Sequence, residues 1–278
     1  MNGAIRQPRF SLTLVIIAAA GAQAADPSFQ PLGELPGGKV GSAATAVSAD
    51  GATVVGWSYS ASGTEAFRWT QAAGMTGLGD LPGGAFRSEA RAVSADGTVI
   101  VGSSKASAGE EAFRWTQATG IVSLGDLPDN IVDADAYAVS DDGTLVAGRG
   151  RSGSGNEAFR WDQPNGMTGM GDLTGGRFYS QARSASSDGT VIVGQGYSAS
   201  GYEAFRWTQD TGMVGLGDLA GGTFTSIAYG VSGDGSTVVG YGTGSNGIEA
   251  FRWTQATGMV GLGDLPGLRF MPEPAWGR

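Results

Sequence analysis

Apolar and polar residues alternate along this chain in short runs, and the runs read as β-strands. Residues 90–94 alternate as a half-buried strand does. Ala95-Asp96-Gly97 follows, and Asp-Gly predicts a tight turn because glycine accepts a positive φ. Residues 98–101, Thr-Val-Ile-Val, are a β-branched run and predict a second strand. Residues 102–109 are small and polar, which predicts a turn-rich connection. Residues 111–116 predict a third strand, with Glu111, Phe113 and Trp115 on one face and Ala112 and Arg114 on the other. After a turn at 118–120, residues 121–127 predict a fourth strand that Pro128 ends.

The whole pattern recurs every 46 residues. Trp69, Trp115, Trp161, Trp207 and Trp253 mark the step, as do Asp50, Asp96, Asp142, Asp188 and Asp234. A period of this size marks an array of identical supersecondary units. Four short antiparallel strands per repeat predict an all-β protein, a β-propeller of four-stranded blades, five in number. A solenoid of β-coils is the second choice. Five copies of the first three strands are present but six of the fourth, because residues 30–35 precede the first copy and 259–265 follow the last. The N-terminal strand is expected to pair across the termini and close a ring; the alternative is an open arc.

The chain divides into a secretory signal at 1–24, a repeat domain at 25–267 and an irregular tail at 268–278. Arg6 and Arg9 give the signal its basic start, residues 14–20 its apolar stretch and Ala22-Gln23-Ala24 its small-residue cleavage site. A membrane span needs about 20 apolar residues, so this stretch predicts export and no stable membrane insertion once the signal is removed. The formal net charge is −9, and loss of the two signal arginines takes it to −11. That excludes nucleic acid as an expected partner. Cysteine and histidine are both absent, which removes disulfides, thiolate chemistry, the Ser-His-Asp triad and His-containing zinc sites.

Leu-Gly-Asp-Leu-Pro-Gly-Gly at 78–84, Ala-Val-Ser-Ala-Asp-Gly at 92–97, Val-Val-Gly at 54–56 and Ala-Phe-Arg-Trp at 112–115 recur in fixed order. This pattern resembles the bacterial HAF-repeat family of extracellular repeat proteins. The resemblance covers residues 31–267 and implies a secreted or surface, propeller-like protein with no assigned activity. The His of the family's His-Ala-Phe is replaced here by Glu65, Glu111, Glu157, Glu203 and Glu249. A metal-binding role for that histidine does not carry over.

A residue present in every copy is expected to be scaffold. Arg68, Arg114, Arg160, Arg206 and Arg252 lie between apolar residues, and each is expected to pair with an acid of its repeat. The Gly-x-Gly strings lie between no strand and helix and are not phosphate loops. No cofactor, metal site or catalytic residue is expected. Asp129, Asp133, Asp135, Asp141 and Asp142 are the one dense acidic stretch, read as solvated in preference to calcium-binding.

Function is expected where the copies differ. The second-to-third turns and the links between repeats share one end of the array, and there aromatics and cations collect. The candidate ligand-binding residues are Tyr59, Arg87, Lys105, Arg149, Arg151, Arg177, Tyr179, Tyr197, Tyr202 and Tyr241. Loops on a rigid scaffold gather binding residues, and Tyr and Arg suit binding hot spots. The expected partner is a polysaccharide or a surface protein, bound by a monomer without catalysis. A structural surface or matrix role is the alternative. A glycoside hydrolase or lyase comes last, since it needs two carboxylates flanking a bond, and only Asp129 with Asp133 breaks the repeat symmetry.

Overall fold

The computed structural model describes residues 30–129 and 131–263. The signal at 1–24, the tail at 268–278 and Asp264 lie outside the described residues. The described chain is all-β, in five four-stranded modules. Module 1 holds β1 (Gly37–Val47), β2 (Thr53–Ser60), β3 (Thr64–Thr70) and β4 (Gly74–Gly77). Module 2 holds β5 (Gly83–Val93), β6 (Val99–Ala106), β7 (Glu110–Thr116) and β8 (Gly120–Ser123). Module 3 holds β9 (Ile131–Val139), β10 (Leu145–Ser152), β11 (Gly155–Asp162) and β12 (Gly166–Gly169). Module 4 holds β13 (Gly175–Ala185), β14 (Ile192–Ser198), β15 (Gly201–Thr208) and β16 (Gly212–Gly215). Module 5 holds β17 (Gly221–Val231), β18 (Thr237–Gly244), β19 (Gly247–Thr254) and β20 (Gly258–Gly261).

Within a module the strands form an antiparallel meander, such as β5–β6–β7–β8. The first strands of neighbouring modules touch one another, β5 with β1 and β9, whereas a fourth strand packs on its own third strand. First strands therefore line the inside of the array and fourth strands its outside. The expected faces of the third strand hold. Phe113 and Trp115 pack with Ile100 on Val55 and Ala66 of module 1. Ala112, on the opposite face, joins Val146 and Phe159 of module 3. Such sheets have two apolar faces, and each is covered only by a neighbour.

A second device fixes the spacing. The N–H of Ala49 donates to Ala95 O at 3.0 Å, Ala95 to Asp141 O at 3.0 Å, Asp141 to Ser187 O at 2.9 Å and Ser187 to Gly233 O at 3.0 Å. One backbone hydrogen bond thus joins each Asp-Gly turn to the next. The turn itself needs glycine: Gly97 has φ +72°. At Gly102 the requirement is close approach, since a Cβ there would overlap the Glu89 carbonyl oxygen across the strand pair.

Three expectations need correcting. The second strand runs on to Ala106, so residues 102–106 are paired strand and not connection. The fourth strand stops at Ser123, because Gly125 takes φ +77° and turns the chain out of the sheet. Residues 30–35 form no strand either; Gly33 takes φ +82° and Leu35 N–H donates to Ser58 Oγ at 3.2 Å. Among the described residues no strand pairing closes the ring. The far face of module 5 leaves Val239 44% and Leu262 61% exposed, and the near face of module 1 leaves Val47 56% exposed.

Candidate binding site

The residues common to all modules are occupied with the scaffold. Ser48 Oγ donates to Asp50 Oδ1 at 2.6 Å and Ala52 N–H at 2.9 Å, and the same pair of bonds recurs at Asp96, Asp142, Asp188 and Asp234. These bonds hold all five carboxyl groups below the usual range, Asp234 at about 2 through the Ser232 hydroxyl and the Ser236 N–H. A depressed native pKa stabilises the fold above the unfolded value, near about 4, and the gain disappears as pH falls through the native values. Urea midpoints should therefore drop between about pH 4 and about pH 2, by an amount that solvent screening keeps modest. Asp234→Asn should reduce that slope; an unchanged slope would show that the Asp234 turn contributes nothing. Asp126 and Asp172 go the other way, because burial raises them.

Most of the other repeated acids also bind backbone; Glu111 instead accepts from the Ser123 hydroxyl, and Asp126 Oδ1 has no partner among the described residues. Glu65 Oε1 accepts Gly79 N–H at 3.0 Å, as Glu157 does from Gly171 and Glu203 from Gly217. Asp172 Oδ2 accepts Tyr179 N–H at 3.1 Å and Asp218 Oδ2 accepts Thr225 N–H at 2.8 Å. Among the described residues the repeated arginines form no ion pair with the repeated acids, so the expected network does not form there. Arg68 donates to Thr53 Oγ1 at 3.3 Å and Arg114 to Gly143 O at 3.4 Å. Arg160 comes within 3.8 Å of Asp162 and lies 5.7 Å from the Trp207 ring centroid. Clefts of about 470, 400 and 580 Å³ open between successive modules at this end. Their linings are the repeated Arg, Trp and turn residues, so nothing sets one cleft apart.

The divergent residues sit at the other end and along the inside. Gly83 pairs with Ala106 and Gly175 with Ser198, which places the links beside the second-to-third turns as expected. The candidates themselves are on strands, however, and not in the loops. Tyr59, Lys105, Arg149, Arg151, Tyr197 and Tyr241 lie on second strands, because those strands run further than the sequence suggests. Arg87, Arg177 and Tyr179 lie on first strands, and Tyr202 starts a third.

Four of the ten come together in module 4. Arg177 Nη2 donates to Tyr202 Oη at 2.9 Å, and its guanidinium lies 4.3 Å from the Tyr197 ring centroid. Tyr197 and Tyr202 face each other across β14 and β15 at 4.3 Å, and Tyr179 meets Tyr202 edge-on at 5.8 Å. Arg177 is exposed and the three rings are half-buried. The cluster continues through residues that the sequence reading missed. Tyr179 Oη donates to Gln181 Oε1 at 3.1 Å and accepts from Gln195 Nε2 at 3.3 Å. Arg183 Nε donates to Gln195 Oε1 at 3.0 Å, and its guanidinium lies 4.8 Å from the centroid of Tyr229. Tyr229 in turn lies 5.8 Å from Tyr241. The result is a row of aromatic and amide groups from the hairpin end down the inner strands of modules 4 and 5.

Two candidates are held by acids. Arg149 Nη2 pairs with Asp135 Oδ2 at 2.8 Å and Asp133 Oδ1 at 3.2 Å. Asp135 also reaches Arg91 across the module boundary at 3.4 Å, and Arg87 pairs with Glu89 at 2.8 Å. Tyr59 stands apart in module 1, with Trp57 edge-on and Lys39 over its ring at 4.0 Å. Lys105 and Arg151 join no ion pair among the described residues.

The dense acidic stretch disperses. Asp129 accepts Gly153 N–H at 2.6 Å, Asp133 and Asp135 face Arg149, and Asp142 caps its turn. Among the described residues no group of three acids is placed to hold a metal ion. Asp129 and Asp133 thus face different partners, not each other. No helix among the described residues is long and apolar enough to cross a membrane.

No family model matches the chain. No curated protein matches it. Among solved structures, the chain is similar to TolB from Acinetobacter baumannii, with 15% identity, a TM-score of 0.54, and 79% of this chain and 53% of that one covered. The chain therefore spans about half the length of that protein. It is also similar to a TolB from Agrobacterium tumefaciens, described as putative, with 15% identity, a TM-score of 0.55, and 81% and 80% covered. The likeness is one of fold: an all-β, propeller-like array.

Proposed function

We propose that this chain is an exported protein, extracellular or at the cell surface, that acts as a non-enzymatic recognition module. In this reading the five modules are blades of a propeller arc, and the resemblance to HAF repeats reflects common descent. The ligand is an acidic polysaccharide, bound along the row that starts at Arg177. The observation that carries the reading is the exposed Arg177 guanidinium held against Tyr197 and Tyr202. Tyrosine faces stack on sugar rings, and a fixed guanidinium pairs with a carboxylate or sulfate in a forked geometry. Neither group needs to move, which keeps the entropic cost of binding low.

The test is binding of the purified chain to a glycan panel that includes acidic bacterial polysaccharides, with product release read in the same wells. Saturable binding without release is expected. Arg177→Ala and Tyr197→Ala should each weaken it about tenfold or more, about 1.4 kcal/mol. Silence across the panel would sink the reading, and product release would replace it with an enzymatic one. A structural role in a surface or matrix layer is the second reading, favoured by the recurrence of the same turns and core residues in all five modules.

A further inference from the structure

We infer that the two end faces of the array bind a second copy of this chain head to tail, with module 5 of one copy on module 1 of the next. The inference is independent of what the inner row binds. It rests on the four internal interfaces, which share an apolar cluster and a turn-to-turn backbone bond, and on the two ends, which each carry one half of a fifth.

The apolar half comes first. On the far face of module 4, Val193, Ala204 and Leu216 are buried under module 5. Their equivalents in module 5 are Val239, Ala250 and Leu262, and all three are exposed. On the near face of module 5, Val231 is half-covered by module 4, whereas its equivalent in module 1, Val47, is 56% exposed.

The polar contacts stop at the same places. Among the described residues the backbone series between turns ends with the N–H of Gly233 and the C=O of Ala49. Ala158 N–H donates to Ser180 Oγ of the next module at 2.9 Å, and Ala204 N–H to Ser226 Oγ at 3.0 Å. The corresponding halves are Ala250 in module 5 and Ser42 in module 1, both exposed. Three contacts of different chemistry recur at one spacing, and each end supplies what the other lacks. A surface that meets all three in register is a copy of this chain. The contact is heterologous, so one docking event leaves the outer two ends free for more, unless the rotation closes a ring. This departs from the monomer that the sequence suggests.

The experiment is light scattering and sedimentation of the purified chain over a wide concentration range. A mass of at least two chains, rising with concentration, is expected. Val239→Lys and Val47→Lys should each give monomers with an unchanged melting curve, since both side chains are exposed and neither change empties the core. Mixed in equal amounts they should form a two-chain species and nothing larger, because each keeps the face that the other has lost. Val214→Lys, on the outside of the array, should assemble normally. If Val239→Lys alters the melt, Leu262→Lys replaces it in the mixture. Monomers at every concentration would overturn the proposal, as would an assembly that both variants leave intact.

Discussion

Phe159→Ala lowers the unfolding free energy by about 3–5 kcal/mol, the usual range for emptying a fully enclosed aromatic site. Phe159 is 0% exposed and sits in the cluster that joins modules 2 and 3, against Val101, Ala112 and Val146. The ring is held from two modules at once, so the site has little freedom to collapse around the loss. Phe251 is equally buried but belongs to module 5, which among the described residues has a neighbour on one side only. In a one-dimensional array an end unit can come apart by itself. Phe251→Ala should therefore give a separate early transition, whereas Phe159→Ala should shift the main one. Urea unfolding followed by tryptophan fluorescence distinguishes them. A loss below about 1 kcal/mol at Phe159 would mean that the module boundary is not a packed core.

Asp135→Ala costs about 2 kcal/mol and loosens the contact between modules 2 and 3. The Asp135 side chain is 10% exposed and binds Arg149 within its own module and Arg91 from the preceding one. Removing a buried partner leaves its cations desolvated and unpaired, at a cost of up to about 3–5 kcal/mol for a fully enclosed pair. Arg149 and Arg91 are 24% and 32% exposed, so water screens them and the lower figure applies. Asp133 remains 3.2 Å from Arg149 and Glu89 remains 3.5 Å from Arg91, which also holds the cost down. Arg149→Ala in the same chain should recover part of the loss. Equal stability of Asp135→Ala and the unaltered chain in chemical denaturation would show that the network is solvated.

The module was legible because three signals coincide in it: the Asp-Gly turn, the β-branched second strand and the alternating third strand. Strand ends were less legible, for two different reasons. Residues 102–106 include Gly, Ser and Lys, poor strand formers, and are held in the sheet by ladder partners such as Glu111 opposite Ser104. Residues 124–127 look apolar enough to continue a strand, but the chain leaves the ladder after Ser123 and turns at Gly125, φ +77°. The arginine partners were misread because a carboxylate count does not reveal which acids backbone N–H groups have already taken. At the candidate site, Arg177, Tyr179, Tyr197 and Tyr202 could be found as departures from the repeat. Gln181, Arg183 and Tyr229 depart from it equally. Gln181 falls just before the expected first strand, and Arg183 and Tyr229 fall within it; departures were sought only in the turns and links, and not on the strand that lines the inside.

The hydrogen bonds that join successive turns have a consequence for how such a chain can change length. Each bond spans one whole period, from Ala49 to Ala95 and onward to Gly233. Losing or gaining a few residues inside a module would pull one turn out of line with both neighbours. Duplicating or deleting a complete module would leave every remaining junction, and both ends, chemically as they were. Gene-level recombination in whole-module steps is then the tolerated route of divergence. What each step alters is the span of the inner surface, and with it the length of ligand that surface is able to contact.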